Sequence, residues 1–213
     1  MATFFTTRKE DTIMSNASNI YDGVIWRRGK KVILRPYLES DLPDLQRWIN
    51  DPQNTQFLNV TWPMHEAGQK KWLDRGTASS PDHIRVAICT HDGTLIGNIG
   101  MDIDLRMQSA KTGSMIGKEP FRSQGYGTDA KMLMLDYAFN WRGLRKVTSP
   151  IIAFNGRSRR YAEKCGYRHM ATIEQEYYRN GVWHDEVLYV VFREEWLQLW
   201  REYTKDWAPE WQP

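Results

Sequence analysis

Gly125 and Gly127 stand at the head of the longest apolar-periodic run in the chain, "YGTDAKMLMLDYAFNW", and constrain its fold more than any other feature. Ala130, Leu133, Met134, Tyr137, Ala138 and Trp141 follow the i, i+3, i+4, i+7, i+8, i+11 spacing of one buried helical face, and Gly143 marks the end. Glycine in a helical turn costs about 1 kcal/mol relative to alanine, so glycines in the first turn need a compensating purpose. One such purpose is anion binding. A first turn exposes N–H groups with no intrahelical partner, the helix dipole adds partial positive charge, and residues without Cβ let a diphosphate approach the backbone. The other is a tight strand-to-helix turn with no ligand at all. The loop by itself leaves both open. It is not a Walker-type loop, because no Gly-Lys-Ser/Thr follows. It also lacks the third glycine of a dinucleotide fingerprint, Ala130 being the nearest small residue.

The flanking segments supply a sheet for this helix. "KVILRP" (31–36) reads as a strand stopped by proline, and "SDLPDLQRWIND" (40–51) as a helix capped by Ser40 with Leu42, Leu45, Trp48 and Ile49 on one face. A second helix is expected from Pro63 to Arg75, ended by Gly76. "IRVAICT" (84–90) and "LIGNIGMDID" (95–104) form a hairpin about an Asp-Gly turn, and "KTGSMIGKEPF" (111–121) is a strand leading into the glycine loop. "KVTSPIIAFN" (146–155) adds a strand, and "GRSRRYAEKC" (156–165) a helix ended by Gly166. "HMATIEQEYY" (169–178) and "WHDEVLYVVF" (183–192) flank the hairpin signal Asn180-Gly181. Trp196, Leu199, Trp200, Tyr203 and Trp207 lie at helical spacing near the end, a stripe suited to core or to a homodimer surface. The order βααβββαβαββα is that of an α/β chain with a partly antiparallel sheet. The 213 residues read as a single domain over 23–205, with a polar tail at 1–22, where Met14 is an alternative start, and a short tail at 206–213.

Composition excludes several classes. A net charge of +3 gives no electrostatic reason to expect a nucleic-acid partner. No stretch approaches the roughly 20 apolar residues of a membrane span, and Arg8 to Asp11 put charges where a signal peptide has its apolar core. Cys89 and Cys165 have no paired spacing, as in a reducing compartment, so a cytoplasmic protein is expected. The five histidines are scattered without ligand spacing, and no metal site is expected.

"R-x-x-G-x-G" at Arg122, Gly125 and Gly127 resembles the acyl-CoA-binding signature of the GNAT acetyltransferases. "VILRP", "LIG" at 95–97, "LDYAF" at 135–139, "GLRKV" at 143–147, "NGRS" at 155–158, "AEKCGYR" at 162–168, "NGVWHDE" and the closing "EEW" fit the same family in the same order. The pattern is most similar to the RimJ/RimL-like branch, whose members acetylate protein N-terminal amines or small-molecule amines. The resemblance implies a mixed, mostly antiparallel sheet with flanking helices, in which two parallel strands, near 113–117 and 147–154, splay apart to admit the pantetheine arm of acetyl-CoA. Pro150 departs from an ordinary strand and is harmless only where the strands have already parted.

By this resemblance the diphosphate falls on Arg122, Gln124, Gly125, Tyr126, Gly127 and Thr128, the oxyanion on backbone N–H groups near Ser114, Met115 and Ile116, and the pantetheine on Asn155, which could instead only cap the next helix. Amine attack on the thioester needs a proton acceptor, and the two-residue spacing of Glu174 and Glu176 puts both on one strand face. Glu176 is the expected base, with a solvent-facing acidic ladder as the alternative; Asp102 and Asp104 are weaker candidates for holding a cationic acceptor. Many family members carry a tyrosine seven residues after the asparagine. Here that position is Ala162, and Tyr161, one residue away, is not expected to take the role. RimJ/RimL-like proteins often carry a serine three residues after the asparagine, so the resemblance makes Ser158 the expected donor to the departing thiolate, with a helix serine that only bonds its own backbone as the alternative. The acceptor is the amine of a protein N-terminus or of a small molecule such as a polyamine or aminoglycoside. The missing tyrosine also admits a non-catalytic acyl-CoA-binding module.

Overall fold

The computed structural model describes residues 22–60, 62–77 and 80–209, the side chains of 73–77 excepted. The expected N-terminal tail and its alternative start lie outside the described residues, apart from residue 22, as does the C-terminal tail beyond residue 209. Among the described residues eight strands form one sheet: β1 (Arg27–Arg28), β2 (Val32–Arg35), β3 (His83–Thr90), β4 (Leu95–Asp104), β5 (Ser109–Ile116), β6 (Lys146–Ile152), β7 (Arg168–Arg179) and β8 (Val182–Phe192), in the order β1-β2-β3-β4-β5-β6-β8-β7. The helices are α1 (Leu42–Asn50), α2 (Pro52–Thr55), α3 (Glu66–Thr77), α4 (Tyr126–Asp136), α5 (Gly156–Lys164) and α6 (Arg193–Thr204).

The join between β5 and β6 decides what the sheet can hold. It is parallel, while all other neighbours are antiparallel, and it consists of Ser109↔Lys146, Ala110↔Val147 and Lys111↔Thr148 only. Beyond Thr148 each strand follows its other partner, β5 along β4 to Ile116 and β6 along β8 to Ile152. The two halves of the sheet therefore part, leaving strand N–H and C=O groups directed into a wedge. Pro150 lies two residues past the last β5–β6 pair, where its missing donor takes nothing from that ladder.

Helix α4 fills the centre. Residues 129–136 are all buried, not only the expected stripe, because α4 packs between the sheet and the tryptophans of α6. Asp129 is accommodated by accepting from the backbone N–H of Lys31 (2.6 Å) and Val32 (3.0 Å) and from the Tyr203 hydroxyl. Asp136 pairs with Arg27 at 3.1 Å. Trp196 and Trp200 stack with ring centroids 5.0 Å apart and are buried, so the aromatic stripe is core.

Three local expectations are corrected. Trp141 is 57% exposed, because the last turn, Tyr137–Trp141, widens to a π-helix and rotates that residue off the buried face. Helix α3 begins at Glu66, three residues after Pro63, and continues through Gly76 to Thr77. Ser40 lies within a 3-10 turn, Glu39–Asp41, and caps nothing; Asp41 organises that turn instead, accepting from Leu38 N–H (2.8 Å) and from both arms of the Arg35 guanidinium (2.7 and 2.8 Å). Cys89 and Cys165 are both buried free thiols.

Candidate active site

The wedge between β5 and β6 opens into a cleft of about 510 Å³ on the face that carries α4 and α5. Gly125 caps α4 at φ +89°, left-handed backbone in which a side chain is strained, and no side chain caps this N-terminus. At Gly127 a Cβ would meet Tyr161 at 3.5 Å and Ile116 at 3.7 Å, ordinary contacts. Packing alone does not demand glycine there. The bare backbone instead leaves the first-turn N–H groups open to the cleft.

The lining is charged in one sense only. Arg122, Lys131, Arg157, Arg160 and Lys164 border the cleft, and among the described residues no aspartate or glutamate does. Helix α5 supplies three of these cations, since residues 157, 160, 161 and 164 recur at the three- and four-residue spacing that keeps them on one face. Lys31 stands just outside, its Nζ donating to the Gln124 carbonyl at 2.8 Å.

Of the residues expected from sequence, Ser114, Met115, Ile116, Arg122, Gly125, Gly127, Thr128, Asn155 and Ser158 all border this cleft. Gln124 and Tyr126 do not. The Gln124 side chain turns back to the Pro120 carbonyl, and Tyr126 packs edge-on against Phe121, centroids 5.5 Å apart. Arg122 is largely committed to protein: Nε donates to the Ile116 carbonyl (3.0 Å) and Nη2 to Gly117 O (3.0 Å) and Asn54 Oδ1 (2.9 Å). It ties the end of β5 to α2 and keeps only part of its guanidinium for a ligand. Asn155 caps α5, its Oδ1 accepting from Ser158 N–H at 3.1 Å, while still facing the cleft.

Glu174 and Glu176 border neither this cleft nor its neighbour, and both are exposed. They lie on the edge strand within a bulge between Ile173 and Tyr177, where Gln175 adopts φ +53°. The bulge breaks the alternation on which their shared face depended.

Residues missed from sequence complete the floor. Tyr161 enters the cleft after all, its hydroxyl 2.9 Å from Ser114 Oγ, and burial holds it well above the usual phenol range. Lys131 is 1% exposed; Nζ donates to Thr112 Oγ1 at 2.8 Å, and burial pushes the ammonium down to about 8. Thr112 Oγ1 also lies 3.0 Å from the Tyr167 hydroxyl. The signal for Lys131 was present in the sequence, as a lysine between Ala130 and Met132 in the most apolar run of the chain.

A second cavity of about 360 Å³ lies on the other side of the parted strands. Leu45, Ile49, Val60, Met64 and Trp72 give it an apolar wall, and Arg85, Asp102 and Lys111 are its charged residues among the described ones. The two cavities share Phe57, Leu58, residues 112–115 and Pro150, so they meet through the gap in the sheet. Asp102 is the one carboxylate bordering the second cavity among the described residues. It is engaged by Arg85 Nη2 at 2.6 Å and His83 Nδ1 at 2.9 Å. Burial raises its pKa, but those two partners outweigh burial and hold the carboxyl below its usual range. Asp104 is exposed and borders neither cavity.

Residues 31–168 match the family described as "Acetyltransferase (GNAT) domain", which covers the wedge, the glycine loop and α5. The chain belongs to the GNAT acetyltransferase family. Among curated relatives it is similar to YdaF of Bacillus subtilis (strain 168), a protein provisionally named a ribosomal N-acetyltransferase. The two are 32% identical over 107 residues, 50% of this chain and 58% of YdaF, so the match spans little more than half of that relative. Among solved structures, RimJ of Mycobacterium smegmatis in complex with CoA-disulfide superposes with a TM-score of 0.71 at 17% identity, covering 86% of this chain and 98% of that one. Spermidine N-acetyltransferase from Vibrio cholerae, in complex with CoA and spermine, superposes with a TM-score of 0.70 at 18% identity over 78% of this chain and 98% of its own. At these identities the superpositions establish the shared GNAT fold. Among the described residues no helix is long and apolar enough to cross a membrane, and no three His, Cys, Asp or Glu side chains gather as metal ligands.

Proposed function

We propose that this GNAT protein transfers the acetyl group of acetyl-CoA to a primary amine, and that the acceptor is the amino terminus of a protein. One observation carries the coenzyme assignment: a cleft bordered by five cations and, among the described residues, no carboxylate, with the uncapped N-terminus of α4 on its wall. A ligand with several phosphates gains from each of these features, and acetyl-CoA is such a ligand. In this reading the diphosphate meets N–H groups of residues 125–128, the pantetheine amides pair with the parted strands, and Asn155 and Ser158 donate to the arm. The thioester lies where the two cavities meet, at residues 112–115. Alternate N–H groups of that strand point into the wedge and supply the oxyanion donors.

The second cavity admits the acceptor from the opposite face. Its apolar walls and its single, already paired carboxylate suit an N-terminal residue with an apolar side chain better than a polyamine, which needs unpaired negative charge. YdaF's name agrees with a protein acceptor; the spermidine enzyme stands for the alternative. Glu176, on its exposed bulge, is not carried forward as the base, and water in the open acceptor cavity takes the ammonium proton. Following thiol release from acetyl-CoA against peptides with free N-termini, spermidine and an aminoglycoside tests the assignment. Turnover on peptides but not on polyamines is expected. Tight CoA binding with turnover on none of them would make the chain a binding module.

A further inference from the structure

Lys131 is the one buried cation of the cleft, 1% exposed, and it has no carboxylate partner among the described residues. A buried ammonium of this kind is costly unless something compensates it. What faces it is neutral. Thr112 on β5 accepts one N–H at 2.8 Å; the rings of Tyr161 on α5 and Tyr167 after α5 lie 5.5 and 5.6 Å from Nζ. The Cys165 thiol at the end of α5 is pushed up to about 12 by burial and stays protonated. Arg160 and Lys164 of α5 border the same cleft and add only positive charge. Two of the three N–H groups on Nζ thus have no hydrogen-bond acceptor in the protein, and the residue borders the cleft.

Its place in the cleft is specific. Thr112 is among the residues common to both cavities, where an amine entering from one side can reach a thioester lying in the other. Nζ sits beside that junction. We propose that Lys131 is the catalytic cation for the leaving group, stabilising the coenzyme's departing thiolate and giving it a proton. The inference rests on the acetyl-CoA reading above. The steps balance. The neutral amine nitrogen bonds to the thioester carbon, the C–S bond breaks with its electron pair on sulfur, and Nζ–H passes its proton to sulfur. The new amide sheds one proton to water, and the Lys131 amine regains one from water. A thiol titrates near ~8.5, so an ammonium depressed to about 8 is matched to it far better than an ordinary lysine. A serine hydroxyl such as Ser158 can donate a hydrogen bond to the sulfur but is much the weaker acid.

The test uses the full chain with CoA itself. Calorimetry first establishes that CoA binds. The ultraviolet absorbance of the thiolate is then followed against pH for free CoA, for CoA bound to the wild-type protein and for CoA bound to Lys131→Met. The thiol of wild-type-bound CoA is expected to titrate at least about one unit below free CoA, a tenfold change in its ionisation constant, and Lys131→Met is expected to abolish that shift. In turnover the variant should lose roughly 100-fold in kcat with little change in KM for acetyl-CoA, and the alkaline fall of the wild-type kcat profile above about pH 8 should disappear. Equal thiol titration in the two proteins, or an unchanged kcat, overturns the proposal. If the variant does not fold, the wild-type titration alone decides, and an unshifted bound thiol overturns it. Failure of the wild-type protein to bind CoA removes the coenzyme reading and this inference together.

Discussion

The two cavities that meet through the sheet are built on opposite electrostatic plans. On the α4 and α5 side, five cations and an uncapped helix N-terminus stand without a carboxylate among the described residues. On the other side, Asp102 is already held by Arg85 and His83, and aliphatic and aromatic side chains make up much of the wall. The first surface concentrates positive charge and would gain stability from an arriving anion. The second sets Arg85 and Lys111 against its one, already paired, carboxylate among the described residues and gains by covering apolar area, about 25 cal/mol per Å². In the proposed reading the difference teaches that charge would select the coenzyme, whereas shape and apolar burial would select the acceptor.

Four substitutions break or sharpen that contrast. The largest effect is expected on stability, at Lys131. Its folded pKa of about 8 lies below the unfolded 10.5, so between those values the unfolded chain binds more protons and stability rises with pH. Below pH 8 the full penalty, on the order of 3 kcal/mol, is present. Lys131→Met should therefore raise the urea midpoint at pH 7 and remove the rise between pH 8 and 10.5; equal midpoints at pH 7 would mean the ammonium is not desolvated as described. Gly125→Val places a side chain at φ +89° on the α4 N-terminus and should weaken CoA by roughly 100-fold by calorimetry, as expected for losing two or more charge-assisted contacts. Unchanged affinity would detach the glycine loop from the coenzyme.

Arg160→Glu introduces a carboxylate into a cleft that has none among the described residues, and CoA affinity should fall about 10-fold at low salt, less at high salt. Trp72→Ala removes an apolar wall of the second cavity. It should raise KM for a peptide acceptor several-fold (on the order of 1 kcal/mol of lost burial) and leave CoA affinity untouched. Loss of CoA affinity in that variant would end the separation of roles. As a reference for no effect, Glu176→Gln on the exposed bulge should leave kcat/KM within about 2-fold, as surface substitutions do.

Much of this site was legible in the chain because it depends on local rules. Gly125 and Gly127 ahead of an apolar-periodic run fix a helix with an open N-terminus, and Asn155 three residues before Ser158 fixes the cap of α5. Hairpin signals at Asp92-Gly93 and Asn180-Gly181 set two antiparallel joins. The errors came where the outcome depends on distant partners. Glu174 and Glu176 read as one strand face until a bulge re-aimed them, and Trp141 read as core until a π-turn rotated it out. Arg122 borders the cleft as the motif implied, but its bonds to carbonyls at the end of β5 could not be read from the sequence.

Periodicity and the conformational freedom of glycine, which act over a few residues, were enough to determine most of the elements and their order, though not the short β1 and α2, and the position of the glycine turn that opens α4. Tertiary structure alone decided that β5 and β6 part after three pairs, that two cavities meet through the opening, and that a lysine from mid-helix lies beside it. The physical reason is that strand divergence and the desolvation of a charge depend on which surfaces close over them, and those surfaces come from segments far apart in the chain.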